Sequence, residues 1–324
     1  MGVTDKLETT YQKLVTGEQR KHGEIGRTRE WINDHFMGVV LTPPLIVLGT
    51  LVLLPVSHLL YSSLHSTGRY TVGGAEFVGL QNYINAFQDP MFWTTLQHSV
   101  IYTIGSVTVA FLLGLAAALS INRLRSERAR STFTVLVLLA WAVPLVVTGL
   151  IWRFILHSNY GIANAVLMNL GLISERIGFI TNTTPAFISV ILADAWSRAP
   201  FAAIILLAGL QTIPENLYEA ARVDGATDFQ MFKDITLPQI KPSAGVALLI
   251  MTMFAFRTFS IVFALTQGGP GSATEVLATY IYRTGISQGQ LGYAAALSVI
   301  MILITLAFIT VYVKKIQKDA LDTA

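Results

Sequence analysis

One stretch of the sequence, EAARVDGATDFQMFKDITLP from Glu219 to Pro238, places six charged residues inside a chain that is otherwise rich in long apolar runs. Acidic residues outnumber basic ones around it, so anionic lipid headgroups would repel it. Docking to a soluble protein is therefore favoured over the alternative, an amphipathic helix that lies on the headgroups. The apolar side chains that this stretch and the residues before it offer to a partner are Leu217, Tyr218, Val223, Phe229, Met231 and Phe232.

Local signals in the same region predict two short helices joined by a tight turn. Pro214 fits the first turn of a helix, because its missing N–H would have no partner there. Gly225 fits the left-handed cap that ends the first helix. Thr227 opens a T-x-x-Q capping box for the second helix, and Pro238 is expected to end it. We call residues 214–238 the polar hairpin.

The chain lacks the residue patterns of common catalytic sites. The run GGPG, Gly268 to Gly271, has no lysine at the position where a phosphate-binding loop would place one. Neither an H-E-x-x-H pattern nor a nucleophile elbow occurs, and Asp194 has no second carboxylate at a catalytic spacing. With no cysteine in the chain, disulfides and thiolate metal sites are excluded. The sequence therefore predicts no enzyme, and energy for any directed process must come from another subunit.

Composition and periodicity identify a membrane protein. The chain is 53% hydrophobic and 13% charged, with a mean hydropathy of +0.57, which is too apolar for an ordinary soluble domain. A membrane-spanning helix needs about 20 mostly apolar residues. The first apolar run follows 36 polar residues without a cleavage site, so it is expected to be a retained span. Six spans are predicted, at residues 38–61, 98–121, 132–156, 185–210, 244–265 and 293–313.

The distribution of lysine and arginine predicts the orientation of these spans. Sixteen of the 22 basic residues lie in residues 1–36, in the links 122–131 and 211–243, or after the last predicted span. The alternate loops carry one each. Because basic residues accumulate on the cytoplasmic side, both termini and the polar hairpin are expected there. The net charge of +3 is explained by topology, and no basic patch with interleaved aromatics points to nucleic acid.

Four charges fall inside the predicted spans, and Arg153 among them lies at a helix end. For the three nearer the middle, insertion costs about 2.5 to 3.5 kcal/mol each, so they should face protein or water. Asp194 precedes Arg198 by four residues, which favours an intrahelical ion pair over a direct contact with a solute. Arg257 has no acid in its own span, so it is a candidate for the translocation path or for contact with a partner subunit. The flat aromatic rings of Phe254, Phe259, Trp152 and Trp196 could face a sugar, although packing or interfacial anchoring is the alternative for each.

At the polar hairpin the sequence resembles the EAA signature of ABC importer permeases. Glu219, Ala220 and Ala221 are followed by Gly225 at the expected spacing, and then by Ile235, Leu237 and Pro238. Fragments elsewhere resemble the sugar-importing, maltose-permease-like branch. These fragments are FVGLQNY, GIANAVL, WSRAPF, LAGLQTIPENLYEAARVDGA and FALTQGGPGSAT followed by YIY. Two positions depart from that branch. Tryptophan is common where this chain has Phe229. An acidic residue often stands where this chain has Ser260, so a substrate contact inferred from the family is not carried over to Ser260.

The resemblance implies an all-α polytopic permease with six transmembrane helices, in which the polar hairpin is the coupling helix that docks on an ATP-hydrolysing subunit. It implies a polar contact for Glu219 and close approach at Ala220 and Ala221. The external loop at Gly268, Gly269 and Pro270 is expected to contact a solute-binding protein. The full coupling set is Glu219, Ala220, Ala221, Asp224, Gly225, Phe229, Phe232, Ile235, Leu237 and Pro238, and the substrate-path set is Arg257, Phe254, Phe259, Trp196, Asp194 and Arg198.

The expected organisation is a cytoplasmic segment at 1–36, a permease domain at 37–316 and a cytoplasmic tail at 317–324. The expected partners are two ABC ATPase subunits that carry ATP and Mg, a second permease subunit, an external solute-binding protein, a sugar and the bilayer of the cell membrane. One alternative is the same architecture importing glycerol phosphate, with Arg257 or Arg198 pairing with the anion. Another is an ion-coupled secondary transporter, which would have inverted repeats and discontinuous spans; the sequence predicts neither.

Overall fold

A computed structural model describes residues 36–68 and 74–321. The predicted segment 1–36 lies outside the described residues except for its last residue, and so does the end of the predicted tail, 322–324. The chain divides into two compact units, residues 1–59 and residues 60–324.

The described part of the first unit belongs to helix α1, Phe36–Ser63, which is long and apolar enough to cross a membrane. Its large apolar side chains are exposed, for example Leu51 and Leu53. A contiguous apolar surface of this kind needs cover from lipid or from protein.

The second unit is almost entirely helical. A two-stranded antiparallel ribbon opens it. Short helices connect the long ones. Its elements are the end of α1, β1 (His65–Ser66), β2 (Glu76–Phe77), α2 (Gln81–Gln88), α3 (Pro90–Asn122), α4 (Glu127–Ala142), α5 (Leu145–Ile155), α6 (Ile162–Asn169), α7 (Thr183–Gln211), α8 (Glu215–Val223), α9 (Asp228–Met231), a π-helical turn (Phe232–Thr236), α10 (Leu237–Gln239), α11 (Lys241–Phe256), α12 (Ser260–Leu265), α13 (Leu277–Tyr282), a second π turn (Arg283–Ser287) and α14 (Leu291–Leu321).

The core forms where α3 and α7 pack against each other. Ala110, Gly114 and Ala118, spaced by four on α3, are all buried. A Cβ placed on Gly114 would lie 2.6 Å from the Ala202 Cβ and 2.8 Å from the Ala199 carbonyl oxygen, so only glycine permits this approach. Small residues at such spacing let membrane helices approach closely, and here they form the packing face of α3.

Four described helices are long and apolar enough to span a membrane, and the number rises to six if two bent pairs each count as one span. In the first pair, α4 and α5 meet at 90°. The bend falls at Val143 and Pro144, because proline has no N–H for the helical ladder and disfavours a helical conformation at the residue before it. In the second pair, residues 228–239 and 241–256 are bent by 65°. The prediction of a continuous third span, residues 132–156, is wrong, whereas the second bend lies before the predicted fifth span.

The predicted fifth span, residues 244–265, is also interrupted. Helix α11 ends at Phe256 and α12 begins at Ser260. The Thr258 N–H bonds the Ala255 carbonyl at 3.1 Å, a tighter turn than the α-helix allows. The carbonyl of Phe254 is thereby available to another donor, and a side chain of α7 contacts it.

Candidate functional site

The polar hairpin has the two predicted helices and the predicted turn. Helix α8 ends at Val223, and Gly225 adopts a φ of +79°, the left-handed conformation that glycine adopts at low cost. The capping box is present: the Gln230 N–H bonds the Thr227 Oγ1 at 3.4 Å, and the Thr227 N–H bonds the Gln230 Oε1 at 2.8 Å. These local predictions are confirmed, with Pro214 at the cap just before α8 instead of inside its first turn.

Pro238 does not end the second helix as predicted. Helix α9 continues through the π turn Phe232–Thr236 into α10, which contains Pro238. The Leu237 N–H bonds the Phe232 carbonyl, five residues back. This wider turn changes the hydrogen-bond register just before the proline, so the helical path continues to Gln239 without needing a proline N–H.

Side chains from both arms of the hairpin anchor it to the helical core. Tyr218 on α8 bonds Thr236 in the π turn, with 2.9 Å between the two hydroxyl oxygens. Tyr218 and Ile235 pack against the buried cluster that contains Leu210 and Ile240. The hairpin is therefore attached to α7 and α11, which lie before and after it in the chain.

The opposite surface of the hairpin is open. Val223 is 88% exposed and Phe229 is 72% exposed, which is unusual for large apolar side chains outside a lipid-facing helix. Glu219, Ala220 and Asp224 are exposed beside them. Of the apolar set expected to meet a partner, Leu217 is also exposed, whereas Met231 is buried and Tyr218 and Phe232 are half-buried.

The pair of Asp194 and Arg198 is present and buried. The Arg198 Nε donates to the Asp194 Oδ2 at 2.6 Å, and the side chains are 9% and 0% exposed. The Ser106 hydroxyl on α3 donates to the same carboxylate oxygen. The Arg198 Nη2 has long contacts, 3.4 Å each, with the Phe254 carbonyl and the Thr258 Oγ1. One guanidinium thus joins α7 to the break between α11 and α12.

A cavity of about 360 Å³ opens above this pair. Four predicted substrate-path residues line it: Arg257, Phe254, Phe259 and Arg198. Three of the six other lining residues adjoin predicted path residues in the chain, three come from α4, α5 and the bend between them, and sequence reasoning assigned none of the six to the path. These are Trp141, Val143, Leu145, Ser197, Thr258 and Ser260.

Two predicted path residues lie elsewhere. Trp196 packs edge to face with Trp152, with ring centroids 6.2 Å apart, and it is not among the residues that line this cavity. Asp194 is fully buried beneath Arg198 and does not reach the cavity wall. Ser106, which holds the carboxylate, has no sequence signal because it is one of many serines on apolar helices.

The GGPG loop between α12 and α13 is compact. Thr274 closes it with a hydrogen bond from its Oγ1 to the Gly269 carbonyl at 2.8 Å. Gly268 is buried, and Gly269 and Pro270 are half-buried, so Gln267 and Gly271 are the positions of this turn open to solvent. Gln267 and Gly271 have φ values of +54° and +63°.

The segment after this loop carries a second ion pair, in which the carboxylate is buried and the arginine is partly exposed. The Arg283 Nη2 is 2.9 Å from the Glu275 Oε2, and the Glu275 side chain is 4% exposed. Burial raises the pKa of Glu275, and the charge of Arg283 offsets only part of that effect.

A larger polar cleft, about 580 Å³, lies between α2, the second π turn and the start of α14. The Asp89 carboxylate accepts hydrogen bonds from the hydroxyls of Tyr280 and Tyr293 and from the Met91 N–H. Burial raises the pKa of Asp89, but these hydrogen bonds outweigh it and the pKa is lowered. Burial and the bond to Asp89 raise the pKa of Tyr280 to about 12. No sequence motif indicated this cleft.

The similarity of the chain to a known family identifies the class of protein that carries this hairpin and this cavity. Residues 110–317 match the family of binding-protein-dependent transport system inner membrane components. The chain belongs to that family. It is a membrane permease of ABC importers, and its fold class is the predicted one. The match covers the polar hairpin, α7 and every residue that lines the smaller cavity.

Individual relatives extend the similarity to nearly the whole permease. The sulfoquinovosyl glycerol transport system permease protein SmoG of Agrobacterium fabrum is 38% identical, over 91% of this chain and 95% of its own length. The trehalose/maltose transport system permease protein MalF of Thermococcus litoralis is 36% identical, over 85% and 92%. A crystal structure of a bacterial alginate ABC transporter, in complex with a periplasmic protein that holds an alginate pentasaccharide, contains a chain with a TM-score of 0.74 and 25% identity, covering 87% and 94%.

Proposed function

We propose that this permease is one half of the membrane pore of an ATP-driven importer, and that it moves a sugar delivered by an external solute-binding protein. Two ATPase subunits carry ATP and Mg, and a second permease subunit completes the pore. Both termini and the polar hairpin face the cytoplasm of a cell whose inner membrane holds the complex. The observation that carries the proposal is the exposed, acidic and apolar surface of the hairpin in a chain of this family.

The hairpin surface fits a protein groove better than it fits lipid. Val223 and Phe229 project from it, and Glu219 and Asp224 lie beside them. Exposed apolar groups surrounded by polar ones are typical of protein interfaces, and acidic groups are repelled by anionic headgroups. In the proposed complex, Phe229 occupies a groove of the ATPase subunit, and Glu219 makes a polar contact at its edge.

The attachment of the hairpin offers a route for force. The hydrogen bond between Tyr218 and Thr236 joins the two arms, and the packing of Ile235 joins them to the core. Movement of an ATPase subunit against the hairpin would therefore displace α7 and α11 together. These two helices carry Arg198 and Phe254 of the cavity, so closure of the ATPases is coupled to access to the cavity, a shift between two populated states.

The cavity has the chemistry that sugars require. Trp141, Phe254 and Phe259 offer flat apolar faces, while Ser197 and Arg257 offer hydrogen-bond donors. The named relatives transport saccharides or glycosides, some acidic and some neutral. The class of substrate proposed here is therefore a mono- or oligosaccharide.

Reconstitution of the complete complex in vesicles tests this function. We expect uptake of a labelled saccharide that requires ATP, the binding protein and an ATPase competent in hydrolysis. Replacement of Glu219 by Ala together with Gly225 by Val should reduce both transport and stimulated ATP hydrolysis while membrane insertion stays intact. Unchanged coupling in that variant would contradict the proposal.

The same vesicles separate the alternatives. Glycerol phosphate retained by the binding protein, with no saccharide retained, would favour an importer of that anion. Uptake that survives removal of ATP but stops when an ionophore collapses the ion gradient would favour a secondary transporter. The broken helices α4 and α5 remove one sequence argument against that class, so family membership and the hairpin now carry the distinction.

A further inference from the structure

The two arginines of the smaller cavity differ in how their charge is compensated. Arg198 lies at the cavity wall with Asp194 directly beneath it, 2.6 Å away, so the pair presents no net charge. Its Nη2 contacts the Phe254 carbonyl and the Thr258 Oγ1, and the side chain is 9% exposed. Arg198 is therefore committed to holding α7 against the break after α11, and little of it is free to bind a ligand.

Arg257 has no such compensation. The described residues form three ion pairs, and Arg257 takes part in none of them. Its one hydrogen bond in that part of the chain runs from Nε to the Met253 carbonyl, at a long 3.3 Å. The side chain is exposed and lines the cavity. Its two terminal nitrogens thus remain as donors in a site that excludes part of the solvent.

The charge of Arg257 lies at the break between α11 and α12. It caps α11 at the interruption of the fifth span, next to Thr258, which is held by Arg198. An arginine within a membrane-spanning segment is costly unless it faces water or an anion. Arg257 lines the cavity, where a bound anion would provide the missing negative charge.

The remaining wall selects for a ring and not for a bare anion. Trp141 and Phe254 form part of an aromatic series through Phe201, with ring centroids 6.2 and 6.5 Å apart. Phe259 also lines the cavity and is stacked on Phe263, with ring centroids 5.0 Å apart. Flat apolar faces that line the same cavity as one uncompensated cation suit a sugar ring that carries an acidic substituent.

We propose that the cavity binds an acidic saccharide, one that bears a carboxylate or a sulfonate, and that Arg257 is the residue that selects it. The guanidinium donates two parallel hydrogen bonds to the acidic group, while the aromatic side chains contact the C–H faces of the ring. This inference rests on the proposed function, because it names the class of sugar that the same site takes.

Direct binding to the purified complex, without the binding protein, tests the selectivity of the permease itself. The probes are a disaccharide of galacturonate, a sulfonated hexose glycoside, maltose and glycerol 3-phosphate, each titrated calorimetrically at low and high salt. We expect the two acidic saccharides to bind more tightly than maltose and glycerol 3-phosphate, and high salt to weaken their binding.

Substitution of Arg257 should remove this preference. Arg257→Gln should weaken binding of the acidic saccharides by roughly ten- to hundredfold, the usual effect of losing hydrogen bonds to a charged group, and leave maltose unchanged. Arg257→Lys keeps the charge but not the paired donors, so an intermediate loss is expected. The matched control is Arg153→Gln, which removes an exposed charge of α5 outside the cavity and should change neither affinity.

Each of the other possible outcomes contradicts one part of this proposal. Equal affinity for maltose and the acidic saccharides, or an equal loss in the Arg153 control, would contradict selection by Arg257. Glycerol 3-phosphate bound as tightly as the acidic saccharides would contradict the role of the aromatic walls. ATP-driven uptake of maltose with no acidic preference would overturn this inference alone, whereas absence of ATP-driven uptake for every saccharide would overturn the proposed function.

Discussion

The hydroxyl of Tyr218 lies 2.9 Å from the Thr236 Oγ1, and this bond joins the two arms of the polar hairpin. Thr236 is 5% exposed and donates in turn to the Met231 carbonyl at 3.3 Å. Tyr218 therefore donates to Thr236 in a short chain of hydrogen bonds that leads from α8 to the π turn. The exposed tip of the hairpin is supported by a rigid base.

Removal of that bond should loosen the hairpin without unfolding the chain. Tyr218→Phe is expected to cost about 1 kcal/mol, the typical net value of one hydrogen bond. Hydrogen exchange should become faster in residues 214–238, and stimulated ATP hydrolysis in the complex should fall. Tyr160→Phe, at an exposed tyrosine after α5, is the control and should leave both unchanged. Unaltered exchange in the hairpin of Tyr218→Phe would contradict the bracing role.

The turn of the hairpin should tolerate asparagine better than alanine or valine. Gly225 has a φ of +79°, and no neighbouring atom lies within 4 Å of the point where a Cβ would stand, so the cost of substitution is conformational and not steric. Gly225→Ala should destabilise the turn by about 1 to 2 kcal/mol, and Gly225→Asn by less, because asparagine enters this region more readily. Transport activity should follow the same order.

The control for this series is Gly49→Ala, at a helical glycine of α1 with equally open surroundings. Alanine should be accepted there, since glycine is the poorer helix former. Equal transport by the alanine and asparagine variants at position 225 would show that the turn conformation does not matter.

Loss of one member of the buried pair should be far more damaging than loss of both. Asp194→Asn leaves Arg198 buried without its counter-charge and is expected to cost about 3 to 5 kcal/mol. The double variant Asp194→Asn with Arg198→Gln removes both charges and should recover much of the thermal stability of the complex in detergent. Transport should remain impaired in the double variant, because glutamine at position 198 loses the contacts of Arg198 with Phe254 and Thr258. A double variant no more stable than the single one would argue against a structural ion pair.

The pH dependence of stability should carry a contribution from Glu275. Burial raises its pKa above the usual 4.5, so the folded state binds this proton more tightly than the unfolded state does. Stability contributed by this group is therefore lost as the pH rises from 4.5 through the raised pKa. Glu275→Gln, whose amide oxygen can still accept from Arg283, should gain thermal stability relative to the parent across that interval.

The comparison for this experiment is Glu175→Gln, at an exposed glutamate in the segment after α6. This variant removes a carboxylate without altering the contact between Glu275 and Arg283. If the difference in thermal stability between Glu275→Gln and the parent does not change with pH over this interval, burial does not raise the pKa of Glu275.

Sequence reasoning succeeded where the signals were local. The capping box at Thr227 and the left-handed Gly225 depend on a few adjacent residues, and the pairing of Asp194 with Arg198 depends on helical spacing alone. Lipid imposes long apolar runs, which is why the existence of the spans could be foreseen.

The missed features depend on tertiary structure or on alternatives to the α-helix. The sequence predicts that Pro238 ends a helix, but a π turn accommodates it. Pro144 lies inside the predicted third span, and the chain bends by 90° there. Trp141 reaches the cavity from α4, and Ser106 reaches the buried pair from α3. No spacing in the sequence connects either residue to Arg198.

The central claim, that an ATPase subunit docks on the exposed surface of the polar hairpin, can be tested by crosslinking. The chain has no cysteine, so one introduced at Val223, 88% exposed on the hairpin, reports a single position. Leu172, 67% exposed after α6, provides the matched control, because the proposed orientation places it on the opposite side of the membrane. With a benzophenone maleimide on the intact complex, we expect Val223→Cys to crosslink to the ATPase subunit and Leu172→Cys not to do so. Crosslinking of the ATPase from Leu172 and not from Val223 would contradict the claim.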